Sequence, residues 1–96
     1  MNGLAVVTME PSKPIRIFMT IHGSYGTLSK ELIEILRKKL AITNGTIAAR
    51  RYRDRSPWNL IWYRLESGTQ RRRSLGPVRQ VLLRFEIPFE PWELER

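Results

Sequence analysis

Trp58-Asn59-Leu60-Ile61-Trp62-Tyr63-Arg64-Leu65-Glu66-Ser67-Gly68-Thr69-Gln70-Arg71-Arg72-Arg73-Ser74-Leu75 is the stretch that decides the fold. Residues 58–66 are rich in aromatic and branched apolar side chains, which suit a pleated, half-buried strand. Ser67-Gly68 is a tight-turn pair, and residues 69–75 return as a second strand. A two-residue loop sets the register, placing Arg64 opposite Arg71, Tyr63 opposite Arg72 and Trp62 opposite Arg73. Trp62, Arg64, Arg71 and Arg73 then share one face. Ile61, Tyr63 and Leu65 share the other, which is expected to cover a helix, with Trp62 at the surface.

The charge of the chain is concentrated around this hairpin. Between Gly45 and Arg84, arginines stand at 50, 51, 53, 55, 64, 71, 72, 73, 79 and 84 against Asp54 and Glu66. That local excess of eight equals the net charge of the whole 96-residue chain, +8. The planar guanidinium fork suits phosphates and base edges better than an ammonium does. Arginines interleaved with aromatic residues are the electrostatic footprint of a nucleic-acid binder.

Upstream of the hairpin the pattern changes twice. Ile15, Ile17, Met19 and Ile21 alternate as on one face of a strand, which Gly23-Ser24-Tyr25-Gly26 breaks. Leu28, Leu32, Ile35, Leu36 and Leu40 then recur at helical spacing. Thr27 or Ser29 caps that helix, Glu31 and Glu34 lie near its start and Arg37, Lys38 and Lys39 near its end, with Asn44-Gly45 as its stop. A further strand is expected over 46–53. Downstream, Pro77 is placed as the first residue of a short helix through Val78, Val81, Leu82 and Phe85. Pro88 and Pro91 end it, and an acidic, aromatic tail follows.

Length and composition bound the rest. The chain is expected to form one domain over residues 15–96, preceded by a flexible lead-in over 1–14 that ends in two prolines. The expected fold class is α+β: an antiparallel sheet of three or more strands packed against one main helix near 28–42, with a second short helix near 77–86. The absence of cysteine removes disulfides and thiolate metal sites, and His22 is the only histidine. No cofactor or metal is therefore expected. No signal peptide or membrane span is visible, so a cytoplasmic location is expected.

Enzyme chemistry finds no constellation in the chain. His22 lies near Ser24 without an acidic partner close in sequence, and its expected role is that of a surface residue at a strand end. The Gly23–Gly26 loop lacks the spacing and the lysine of a phosphate-cradling loop. The candidate nucleic-acid-binding residues are Arg50, Arg51, Arg53, Arg55, Trp62, Arg64, Arg71, Arg72 and Arg73. The expected function is non-catalytic binding of duplex DNA by the arginine hairpin, as an accessory or regulatory factor. One alternative is binding of RNA or single strands through stacking tryptophans. Another is a protein-interaction module or small inhibitor that docks on an acidic partner. No small-molecule substrate is inferred.

Residues 46–76 carry a resemblance. Thr46-Ile47, then Trp58-Asn59-Leu60-Ile61-Trp62-Tyr63-Arg64, Ser67-Gly68 and Gln70-Arg71-Arg72-Arg73-Ser74-Leu75-Gly76 are similar to the hairpin of the small arm-type DNA-binding domains of tyrosine recombinases and integrases. The resemblance implies a three-stranded sheet that enters the major groove, with groove contacts from Arg64, Arg71, Arg72 and Arg73 and support from Trp62 or Tyr63. It also points to a mobile element as the setting. In that family the helix follows the sheet, whereas the stronger helix here precedes it.

Overall fold

The computed structural model describes residues 13–95, so the lead-in expected over 1–14 lies, apart from Lys13 and Pro14, outside the described residues. Five strands form one sheet: β1 (Phe18–His22), β2 (Tyr25–Leu28), β3 (Thr46–Arg50), β4 (Asn59–Glu66) and β5 (Thr69–Pro77). They lie side by side in chain order, each antiparallel to its neighbour. Helix α1 (Lys30–Leu40) is inserted between β2 and β3, and α2 (Val78–Arg84) follows β5 directly. The fold is α+β, with one main helix and one short one.

Both helices and the tail pack on one face of this sheet. Leu28, Ile47, Ala49 and Leu60 from the strands join Leu32 and Leu36 of α1 and Val78, Val81 and Leu82 of α2 in a single buried core. Trp62 is half-buried and packs against that core. This corrects the assignment of faces read from the sequence. The helices cover the side of Leu60 and Trp62, and Ile61, Tyr63 and Leu65 face away from them. The cross-strand pairs themselves form as expected, with Arg64 opposite Arg71, Tyr63 opposite Arg72 and Trp62 opposite Arg73. The alternation alone could not choose, because both faces of β4 carry large apolar residues.

Helix boundaries tighten for local reasons. Ser29 is the cap of α1: its Oγ accepts the Leu32 N–H at 3.2 Å and donates to the Arg16 carbonyl at 2.6 Å. Leu28 belongs to β2 and still points into the same core. The helix stops at Ala41 in the left-handed region, at φ 55°, four residues before the expected Gly45. Pro77 ends β5 and occupies the cap position of α2, which begins at Val78 rather than at Pro77. The expected strand over 46–53 ends at Arg50.

Two irregularities shape the strands. The register of β1 against β2 shifts between Phe18 and Thr20, so Met19 is the extra residue and is exposed while Phe18 is buried. The expected stripe of Ile15, Ile17, Met19 and Ile21 therefore breaks at Met19. A second shift, opposite Leu60 and Ile61, leaves Leu75 unpaired in β5, and its side chain packs on the core.

The acidic tail is also built into the body. Ile15 donates to the Pro88 carbonyl at 2.9 Å and bridges Phe89, and a 3-10 helix covers Pro91–Glu95. Among the described residues no helix is long and apolar enough to cross a membrane.

Candidate nucleic-acid interface

The distal half of the β4–β5 hairpin stands clear of the core. Residues 65–74 are all exposed, so beyond Arg64 the two strands form an arm with solvent on both faces. At its tip Ser67 and Gly68 adopt φ values of 52° and 79°, the paired left-handed geometry of a two-residue hairpin turn. Arg71, Arg72 and Arg73 sit on this arm, and Arg64 is half-buried at its root. Arg64, Arg71 and Arg73 point to the helix side and Arg72 to the other. Like charges directly opposed across strands destabilise a sheet. Here Glu66 relieves the Arg64–Arg71 pair, with its oxygens 2.9 Å from Arg64 Nε and 3.9 Å from Arg71 Nε. Among the described residues no ion pair forms to Arg72 or Arg73.

Arg50, Arg51, Arg53 and Arg55 form a separate group at the other end of β4. Arg50 pairs with Asn59, five residues from Arg64 along the strand. At about 3.4 Å per residue the two groups are about 17 Å apart. Arg53 and Arg55 are exposed in the 51–58 connection, where Ser56 donates to the Arg53 carbonyl at 3.0 Å and Arg55 takes φ 70°. Arg50 lies on the face away from the helices, and its guanidinium carbon is 5.8 Å from the centre of the Tyr52 ring. Arg51 lies 4.4 Å over the Trp58 ring. That ring is buried against Phe18, at 5.0 Å between centroids, so Arg51 seals the core rather than standing apart from it.

Trp62 is engaged on its edge and on one face. Its Nε1–H donates to the Asn44 carbonyl at 2.8 Å, and the Arg64 guanidinium lies 4.4 Å over the ring. The expectation of a surface tryptophan is corrected accordingly: Trp62 packs on the core and holds the 44–45 turn. Arg37 of α1 donates to the carbonyl of Gly45 in the same turn. A cation stacked on a tryptophan face gains about 0.5–1 kcal/mol at a wet site, and here it also fixes the direction of Arg64 at the root of the arm.

One cationic residue outside the expected set belongs to the same neighbourhood. Arg84, in the last turn of α2, lines a concavity with Arg73, Trp62 and Leu75. It sits thirteen positions from Arg71 in sequence, and only the packing of α2 beside β5 brings it close. Among the described residues no group of three His, Cys, Asp or Glu side chains comes together to hold a metal ion. Neither a protein-family model, nor a curated protein, nor a solved structure gives a match to this chain.

Proposed function

We propose that the chain binds duplex DNA without catalysis, using the β4–β5 arm as a probe of the major groove. The observation that carries this reading is an exposed two-stranded arm with arginines on both faces and Glu66 as its one carboxylate. Strands lie about 4.8 Å apart, so a two-stranded ribbon fits a major groove about 12 Å wide. Arg71, Arg72 and Arg73 alternate in direction, which suits contacts to both walls of a groove. The 53–55 turn, beyond the Arg50 end of β3, supplies a second cationic contact to the backbone.

The engaged state of Trp58 and Trp62, the two of the three tryptophans that lie in the arginine-rich block, favours a duplex over a single strand. A platform for unstacked bases needs open aromatic faces. Trp58 is 2% exposed, and Trp62 is capped by Arg64 on one side. Tyr52 is the open ring beside the arginine loop.

A second reading has an observation of its own. β5 is an edge strand, and charged side chains on an edge discourage pairing with other chains. The three consecutive arginines would then guard the fold instead of gripping a ligand. Titration of duplex and single-stranded oligonucleotides of equal length, at several salt concentrations, decides between these. The expected result is tighter duplex binding that weakens as salt rises. The variant R71Q/R72Q/R73Q should lose most of it, with the log–log salt slope falling by about 0.9 for each phosphate contact removed. Absence of duplex binding by the unaltered chain at low salt overturns the reading.

A further inference from the structure

We propose that the bound duplex meets the arm from the helix side, with one strand of its backbone crossing the concavity between α2 and the root of β5, and that Arg84 is a phosphate contact. The inference rests on the DNA-binding reading above. The concavity is lined by the apolar side chains of Leu40, Ile42, Leu75 and Val81 and by Trp62, together with Arg73, Ser74 and Arg84. No carboxylate lines it among the described residues. Charge complementarity therefore selects an anion there, and a phosphodiester is the anion that a duplex held by the arm brings alongside.

The backbone segments that carry the two arginines are held in a fixed relation. β5 passes into α2 without a loop, and the first helical N–H, from Val78, donates to the Trp58 carbonyl at 2.8 Å. Val78, Val81 and Leu82 are buried, so α2 cannot swing away from the sheet without opening the core. Arg73 shares its face with Trp62, on the same side of the sheet as α2. Arg64 and Arg71 lie on this side too, whereas Arg50 and Arg72 represent the arginines of the opposite face. A guanidinium–phosphate hydrogen bond beside apolar side chains is strengthened by the lower local dielectric. The irregularity at Leu75 contributes to that lining, because the extra residue packs on the core and lines the concavity with Val81.

Arg79 provides a matched control on the same helix. It carries the same charge and, like Arg84 over Phe85 at 5.1 Å, lies near an aromatic ring, 5.9 Å from the centre of Phe89, but it does not line the concavity. The test compares R84Q, R79Q and R71Q/R72Q/R73Q by salt-dependent titration of a fluorescent duplex, with circular dichroism to verify folding. The expected result is a slope lowered by about 0.9 for R84Q, unchanged for R79Q, and lowered most for the triple variant. If the triple variant loses binding while R84Q and R79Q behave alike, the helix-side approach is overturned and the DNA-binding reading stands. If the unaltered chain binds no duplex, both are overturned together.

Discussion

The carboxylate of Glu93 accepts the backbone N–H of Ile17 through both oxygens, at 3.1 and 3.2 Å, and reaches the N–H of Phe18 at 3.3 Å. Glu93 is 2% exposed, so the tail and the start of β1 are joined through a buried, charge-assisted contact. These amides precede the Met19 irregularity, where the strand cannot offer them a regular neighbour. Glu93→Ala should leave both N–H groups without a partner in the core. Hydrogen bonds to charged groups contribute about 1.5–3 kcal/mol. For a domain of this size that corresponds to a fall in melting temperature of roughly 6–24 °C. Thermal denaturation followed by circular dichroism measures it. An unchanged midpoint would show that the tail adds nothing to the fold.

Gly45 and Gly68 both have positive φ, at 85° and 79°, but they differ in surroundings. A Cβ on Gly45 would stand 2.3 Å from the Tyr63 carbonyl oxygen and 2.7 Å from Trp62 Nε1. A Cβ on Gly68 would meet nothing within 4 Å. Gly68→Ala should therefore cost only the left-handed penalty, roughly 1–2 kcal/mol. Gly45→Ala should cost clearly more, since the 44–46 turn must move away from β4 and release the Trp62–Asn44 bond. Urea unfolding of the two variants in parallel checks the order, and a larger loss at Gly68 would contradict the packing around Gly45.

Much of this architecture is legible in the residues themselves. The Ser67-Gly68 turn fixes the hairpin register because both positions require φ above zero, and the register fixes every arginine pair on the arm. The stripe of Leu28, Leu32, Ile35, Leu36 and Leu40 gives α1, although Leu28 belongs to β2, and of the two caps offered, Thr27 and Ser29, the structure uses Ser29. The face that α1 covers is a different matter. Leu60 and Trp62 compete with Ile61 and Tyr63 at equal hydrophobicity, and the decision is made by residues far away, Ile47 and Val81 among them. The Met19 and Leu75 irregularities shift alternation by one residue, which a period-two pattern cannot register. Arg84 escapes notice for a related reason, since its approach to Arg73 exists only after α2 folds back beside β5. The sequence leaves open whether the acidic, aromatic tail packs back on the sheet or shields the basic face, and composition does not single out Glu93 as the residue that is buried.

Trp62 is read from its contacts as a brace for the arm. Trp62→Phe keeps a ring for Arg64 to lie on but removes the donor to the Asn44 carbonyl. The expected loss is about 1 kcal/mol for one hydrogen bond. Amide hydrogen exchange should quicken in the 43–46 turn while protection in α1 and β3 persists. Uniformly faster exchange across the sheet would instead assign Trp62 a role in the whole core.

The guard and grip readings of Arg71, Arg72 and Arg73 separate when charge is kept and shape is changed. Lysine protects an edge strand at least as well as arginine, so R71K/R72K/R73K should stay folded and keep the association state of the unaltered chain on either reading. Its net charge is unaltered, and the salt slope of duplex binding should stay near that of the unaltered chain. What lysine lacks is the planar fork that meets two acceptors of a guanine edge at once, a contact contributing about 1–3 kcal/mol of discrimination. Affinity for the preferred duplex should therefore fall by about tenfold or more, while affinity for a duplex of unrelated sequence changes little. Equal affinities for both duplexes, before and after the exchange, would confine the three arginines to phosphate contacts and remove base recognition from the arm.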